Sequence, residues 1–586
     1  MAGEFQVVGR NAAAPFTLKL HRGDGMTLLA MNWKDGKPPA DFVGFAIEYR
    51  EPGGDKFFAL KNRLAFPGAG GETNANRLST KLSPIQMFRW VHFPRNAELD
   101  GEFLYRVTPM FMNPDDSLSE GEAQEAAIEL RRETYPKQLN VAFTRGFVSS
   151  QAFVDKYGGA DAIPTLLPKK ADDGLDFAPT HPKATEALAW MGFEARSAIL
   201  EVLDEAIADK SAKVFAVVYD LSEPGIVSRF QKLGKRLRII IDDDGPHGEP
   251  HSAETKAAAL LAKSAGAENV HRQHMGKLQH NTTIVVDGDK VKACVCGSTN
   301  YSWRGFFVQN NNAIVLRGAK AVKIFRAAYD AYRTHSNAVA GFGGTGSATW
   351  NDLGFKDIDI RIGFSPRSKQ NAVLDSIAKD IAENTTSSLF FSLAFLYQTP
   401  GAIQKAVKKI QKDKKIFSYG ISDHAVKGLE ELADGEEPEA DGVDLKKPDG
   451  TVTVVSSAAL TDNAPEPFKS EPTGGGGTRM HHKFIVLDFD KPTARVYMGS
   501  YNFSLAADTS NGENLLLIKD RRIAVSYVVE AVRIFDHYHF RVAQQEAERA
   551  KKKLHLARPP RQPGEKPWWS EDYSNPRKIR DRELFA

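Results

Sequence analysis

One block of residues occurs twice in this chain, and the repetition limits its folds more than any other feature. Late in the sequence stands Met480-His481-His482-Lys483-Phe-Ile-Val-Leu-Asp488, then Gly499-Ser500-Tyr-Asn502-Phe-Ser504, then Asn511-Gly-Glu513-Asn. Earlier stands Gln279-His280-Asn281-Thr282-Thr-Ile-Val-Val-Asp287, then Gly297-Ser298-Thr-Asn300-Tyr-Ser302, then Asn310-Asn311-Asn312. The residues upstream repeat as well. Ile199, Leu200, Leu203 and Ile207 have helical spacing, followed by the strand Val214-Phe-Ala-Val-Val-Tyr219 and the turn Pro224-Gly225. Val373, Leu374, Ile377 and Ile381, the strand Leu389 to Phe395 and the turn Pro400-Gly401 follow the same order. Alternating helix and strand, written twice over this length, predicts a duplicated α/β domain, with halves at 138–345 and 346–550. The second copy is the longer one. Its extra residues lie at 420–478, which reads as loop and holds an acidic run, Glu430 to Asp441, and a glycine run, Gly474 to Gly477.

At 586 residues the chain exceeds what one hydrophobic core serves. Residues 1–132 differ in texture and read as all-β. Phe45, Ile47 and Tyr49 alternate, as do Phe103, Tyr105 and Val107, with turn signals such as Pro52-Gly53-Gly54 between the runs. A small β-sandwich is expected there, resembling a fibronectin type III module, with an accessory role. The 77 basic and 74 acidic side chains leave a net charge of +3, which argues against bulk electrostatic binding to nucleic acid. Cys294 and Cys296, at i and i+2 of a strand, read as small buried hydrophobes in a reducing compartment. No basic region followed by an apolar one opens the sequence, and the longest apolar stretch, Leu389 to Tyr397, is too short to span a bilayer. A cytoplasmic location is the default expectation, with signal-independent export as the alternative.

The repeated block has a physical reading. His481 and Lys483 sit at i and i+2 of a strand, so imidazole and ammonium leave the same face and can address one phosphate. Gly499-Ser500 is a small-residue turn that lets Asn502 approach phosphate oxygens. Asp488, like Asp287 in the first copy, falls at the opposite parity and is expected to brace its hairpin. Glu513 is placed to accept a hydrogen bond from an imidazole Nδ1, fixing its tautomer. A single histidine ahead of an apolar strand is usually structural; two, each followed at a matching distance, within one residue, by glycine-serine-x-asparagine, point to a site.

The second block resembles the complete signature of the phospholipase D superfamily, and the resemblance runs over about 138–550. It implies one catalytic body built from two phospholipase D-like halves and a two-step reaction without a metal or cofactor. One histidine attacks phosphorus, the other protonates the leaving oxygen and then activates water or an alcohol, and lysines and asparagines hold the non-bridging oxygens. The implied catalytic set is His280, His481, Lys483, Asn300, Asn502 and Glu513, supported by Asp287, Asp488, Ser298, Ser500, Thr282 and Asn311.

The first copy departs from that signature. Thr282 holds the lysine position and Asn311 stands where Glu513 stands in the second copy. Lys277 is too far back to substitute, and Lys292 should point to the face opposite His280. Loss of one preorganised charge costs on the order of 3 kcal/mol of transition-state stabilisation, so chemistry is expected to be impaired, not abolished. Thr282 reads as a natural loss or as an introduced inactivating change; the residues leave both open. With Lys483 and Glu513 in its own half, His481 is the expected nucleophile and His280 the acid/base.

Other clusters have plainer readings. Asp242-Asp243-Asp244 with His247 and His251 is expected to be a solvated loop bordering the cleft, not a metal site. His482 falls at the wrong parity for substrate. Lys551-Lys552-Lys553 reads as a solvated helical face, and the extended tail 551–586, with Trp568 and Trp569, is expected to pack on the catalytic body. For substrate, the fused halves, the near-neutral charge and 10% aromatic content favour a phospholipid headgroup. A nuclease is the alternative, and a weakened phosphodiester-binding homologue, supported by Thr282, the second. A monomer is expected, because one chain supplies both halves.

Overall fold

The computed structural model describes residues 4–62, 64–68, 78–130, 133–146, 153, 156–158, 162–396, 399–413, 415–422, 442–446, 452–456, 480–549, 551 and 554–586. The acidic run Glu430 to Asp441, the glycine run Gly474 to Gly477, Tyr397, Lys552 and Lys553 lie outside them. Two compact units divide the chain. One comprises Met1–Arg132, Lys447–Thr453 and Val525–Ala586; the other comprises Glu133–Lys446 and Val454–Ala524.

In the first unit, strands Gln6–Val8, Phe16–Arg22, Thr27–Trp33 and Arg89–His92 form one antiparallel sheet. A second antiparallel sheet is built around Phe42–Arg50 and Glu102–Met112. The alternating residues Phe45, Ile47, Phe103, Tyr105 and Val107 fall in one core with Phe16, Leu18, Leu29 and Met31 of the other sheet. The C-terminal tail is part of this unit, which corrects its expected packing on the catalytic body. Trp569 is buried in the same core, and the Trp568 ring stacks on Phe88 at 5.2 Å. Trp568 also donates from Nε1 to the Phe42 carbonyl at 3.0 Å. Two indoles in an extended segment need an apolar face, and the aromatic β core supplies one.

The second unit contains two mixed sheets of matching order. In the first, Lys213–Val218 runs parallel to Leu237–Ile241 and antiparallel to Thr283–Asp287. Lys292–Gly297, Asn312–Arg317 and Leu139–Phe143 then follow, each antiparallel to the last. In the second, Ser388–Leu393 runs parallel to Phe417–Ser422 and antiparallel to Lys483–Leu487. Arg495–Gly499, Glu513–Lys519 and Asp359–Ser365 follow in the same way. Helices cover one face of each sheet: Ala184–Ala208, Pro224–Leu233 and Ala253–Ala265 pack on the first, and Leu374–Asn384 and Ala402–Lys412 on the second. Ala319–Thr334 lies on the other face of the first, its Tyr329 ring 5.3 Å from that of Phe215, so the central strands read as apolar runs. The region 420–478, expected to be loop, contains the strands Gly442–Lys446 and Val452–Ser456. The first pairs antiparallel with Phe417–Ser422, and the alternation Val443, Leu445 and Val452, Val454 is the signal that marks them.

Candidate active site

Both histidines stand just before the central hairpin strand of their sheet, and both are buried. Their ring centroids are 6.2 Å apart. The backbone of one half docks on the other beside them: Gly512 N donates to the Leu278 carbonyl at 2.8 Å, and His481 N to the Asn310 carbonyl at 3.2 Å.

The glycine-serine-x-asparagine turn performs the same task twice. Gly297 and Gly499 have φ of 141° and 153°. A Cβ there would lie 2.4 Å from the Asn312 carbonyl oxygen or 2.2 Å from that of Asn514, so only glycine lets adjacent strands approach this closely. Ser302 and Ser504 cap the short helices Trp303–Phe307 and Leu505–Thr509, each accepting from a backbone N–H at 3.1 Å. Ser298 Oγ donates to Asn311 Oδ1 at 2.9 Å, and Ser500 Oγ to Glu513 Oε2 at 2.7 Å.

Those two residues then cross to the opposite half. Glu513 Oε2 lies 2.8 Å from His280 Nδ1, and Asn311 Oδ1 lies 2.8 Å from His481 Nδ1. This corrects the expected pairing of Glu513 with His481: the carboxylate belongs to the histidine of the other copy. The reason given for His481 as nucleophile falls with it. In both rings Nδ1–H is the donor, a tautomer that leaves the lone pair on Nε2.

Lys483 Nζ is 3.0 Å from His481 Nε2 and 3.0 Å from the His481 carbonyl. Burial brings the lysine down to about 7, against the opposing charges of Glu513 and Asp220. Burial also pushes His481 well below the ordinary histidine range, helped by the charges of Lys483, His280 and Arg304. The aromatic walls are paired too: Tyr219 stands 4.8 Å from the His280 ring, and Phe395 stands 6.0 Å from that of His481.

The remaining residues divide by half. Thr282 is buried, and its hydroxyl has no hydrogen-bond partner among the described residues. Asn300 Nδ2 donates to Asp220 Oδ2 at 2.8 Å. Asn502 Oδ1 is buried without a partner among the described residues. Asp488 accepts from the backbone N–H groups of Thr386, Ser387 and Ser388, and Asp287 pairs with Lys292 at 2.7 Å, so neither carboxylate is spent on the histidines. His482 is buried 5.2 Å from the Phe484 ring.

The loop after Leu237–Ile241 is not simply solvated. Asp242 is fully buried and accepts from Gln279 N at 2.6 Å, next to His280. His247 Nδ1 lies 2.8 Å from Asp242 Oδ2, and its Nε2 lies 3.1 Å from Asp220 Oδ1. Asp220, His247 and Glu254 bring ligand-type atoms within 4.8 Å of one another. Both His247 nitrogens face carboxylate oxygens, and the group forms an ion-pair network in this structure. Asp220 escaped sequence reading because the other copy has Leu396 after its matching aromatic; a lone aspartate at a strand end, beside a motif histidine only in space, was the available signal.

The family model described as cardiolipin synthase, PLD-like domain, matches residues 449–535, which carry the second motif. The phospholipase D of Rickettsia prowazekii (strain Madrid E) is 46% identical over 48 residues, 8% of this chain. That of Rickettsia typhi (strain ATCC VR-144 / Wilmington) matches at the same 46% over 48 residues. The second motif and its flanks are thus similar to phospholipase D-like proteins. The matched segment spans 22% of the length of those relatives. Among solved structures, phosphatidylserine synthase of Haemophilus influenzae Rd KW20 is similar at TM-score 0.39 and 11% identity, over 60% of this chain and 90% of that one. Nuc of Salmonella typhimurium, a phospholipase D family member, is similar at TM-score 0.20 and 21% identity, over 24% and 89%. Among the described residues no helix is long and apolar enough to cross a membrane.

Proposed function

We propose that this chain is a phosphodiesterase of the phospholipase D type, cleaving a phospholipid headgroup through a phosphohistidine intermediate. The observation that carries the proposal is the facing pair His280 and His481, each held at Nδ1 by a side chain from the opposite half. The duplicated halves form one site, so a monomer suffices. The N-terminal β unit is a fibronectin type III-like accessory module.

The environments of the two rings divide the labour. A histidine that attacks phosphorus gains positive charge, which the Glu513 carboxylate stabilises; His280 is therefore the nucleophile. His481, buried beside a lysine and held by a neutral amide, gives up a proton readily and is the acid. In the first step His280 Nε2 bonds to phosphorus, the bond to the leaving oxygen breaks, and that oxygen takes the Nε2 proton of the His481 imidazolium, which returns to its neutral Nδ1–H form. In the second, water attacks phosphorus, His481 takes its proton, and the phosphorus–nitrogen bond breaks. Lys483, Asn300 and Asn502 hold the non-bridging oxygens.

The phospholipase D names of the Rickettsia relatives and the near-neutral net charge support a lipid substrate. Release of headgroup from phosphatidylcholine or phosphatidylethanolamine vesicles, beside hydrolysis of single- and double-stranded DNA, tests this. A Thr282→Lys variant, which restores the second lysine, is expected to raise headgroup release. Activity on DNA alone would make the protein a nuclease, and no activity in either form would make it a phosphodiester-binding homologue.

A further inference from the structure

An unbroken line of hydrogen bonds runs beside His280, and between its ends at Asn300 and Gln279 it contains no motif residue. It runs from Asn300 Nδ2 to Asp220 at 2.8 Å, from Asp220 to His247 Nε2 at 3.1 Å, and from His247 Nδ1 to Asp242 at 2.8 Å. It ends on the backbone N–H of Gln279, 2.6 Å from Asp242. The Tyr219 ring fills the angle, 4.5 Å from the His247 ring and 4.8 Å from that of His280.

We propose that His247 is a positioning residue for phosphate binding. As a cation between Asp220 and Asp242, it ties Asn300 to the backbone that carries His280, and it masks carboxylates that would otherwise repel a phosphodiester. The proposal rests on the site described above. Both His247 nitrogens face carboxylate oxygens, and an imidazole can donate from both only when doubly protonated. Although burial opposes the charge, the hydrogen bonds to Asp220 and Asp242 and the charge of Glu254 hold His247 well above the ordinary histidine range. Asp220 takes one amide hydrogen of Asn300 and leaves the other for a phosphate oxygen.

The two halves differ at this point. In the second, Lys483 provides the cation, Leu396 stands where Asp220 would be, and the Asn502 carbonyl has no partner among the described residues. In the first, Thr282 brings no charge, and His247 sits one residue further from the phosphate, acting through the Asp220 carboxylate, which also feels the charge of Arg304. Without the His247 cation, the Asp220 carboxylate would repel a phosphate beside it, because like charges at a buried interface disfavour binding.

Calorimetric titration of the full chain with inorganic phosphate near neutral pH tests this without requiring turnover. His247→Gln is expected to weaken binding about tenfold, and Asp220→Asn added to it should recover most of the loss, since the carboxylate to be masked is then gone. His247→Gln with unchanged affinity, or equal weakening in the single and double variants, overturns the proposal. Thermal melting of both variants separates loss of fold from loss of charge: where His247→Gln alone fails to fold, the double variant is compared with Asp220→Asn, and because no carboxylate is left to mask in that background the two are expected to bind phosphate alike, a tenfold difference between them being contradictory. Failure of the unaltered chain to bind phosphate would sink the site reading itself, an outcome distinct from an unchanged His247→Gln.

Discussion

At the scale of single residues, the chemistry turns on which group holds which imidazole. Both histidines were legible, because two copies of one motif are hard to produce by chance. Their partners were not, because Glu513 and His280 are 233 positions apart and Asn311 and His481 are 170 apart. Proximity in sequence favoured His481 for the carboxylate; the swap between halves reverses it. Glu513→Gln keeps the shape but removes the charge and permits the wrong tautomer. Turnover is expected to fall on the order of 10²- to 10⁴-fold with little change in KM. A fall of only a few-fold would show that Glu513 does not act on the reacting ring. Lys483 supplies a pH test. Burial lowers it from 10.5 to about 7, so between those values the unfolded chain holds a proton that the folded chain lacks. Stability should therefore rise with pH across that window, and the cost of burying the ammonium is complete below about 7. Phosphate binding restores the charged form, so calorimetry at pH 8 in buffers of different ionisation enthalpy should show proton uptake that Lys483→Arg abolishes. Binding without proton uptake would contradict this role for the lysine.

At the scale of elements, the strand–turn–strand unit of each motif was readable from periodicity, and its glycine from the need for close approach. Gly499 combines φ of 153° with a carbonyl oxygen 2.2 Å from any added Cβ. Gly499→Ala is expected to destabilise the second unit by about 1–3 kcal/mol, read from urea unfolding, and to separate Ser500 from Glu513. An unchanged midpoint would mean the strands can part without cost. The loop after Leu237–Ile241 was misjudged for a definite reason: aspartates, glycine and proline are the composition of a solvated turn, yet Asp242 is buried by its hydrogen bond to Gln279. Composition reports polarity; only tertiary contact reports where the polar groups point.

At the scale of the whole molecule, the α/β grammar and the β texture of the first 132 residues marked two kinds of unit, but not the membership of the tail. An extended segment with two tryptophans carries no record of which core it completes. It joins the β unit, where Trp569 is buried. Trp569→Ala should cost that unit on the order of 3–5 kcal/mol, seen as lost hydrogen-exchange protection in Phe16–Arg22 and Phe42–Arg50. Protection unchanged in those strands would place the indole outside the core. The central claim concerns the paired site in the other unit, and trapping its intermediate tests that claim most directly. Acid-labile, base-stable phosphoramidate formed during turnover of a phosphatidylcholine substrate should map to the peptide containing His280. An adduct on His481, or turnover with no adduct on either histidine, would contradict the assignment.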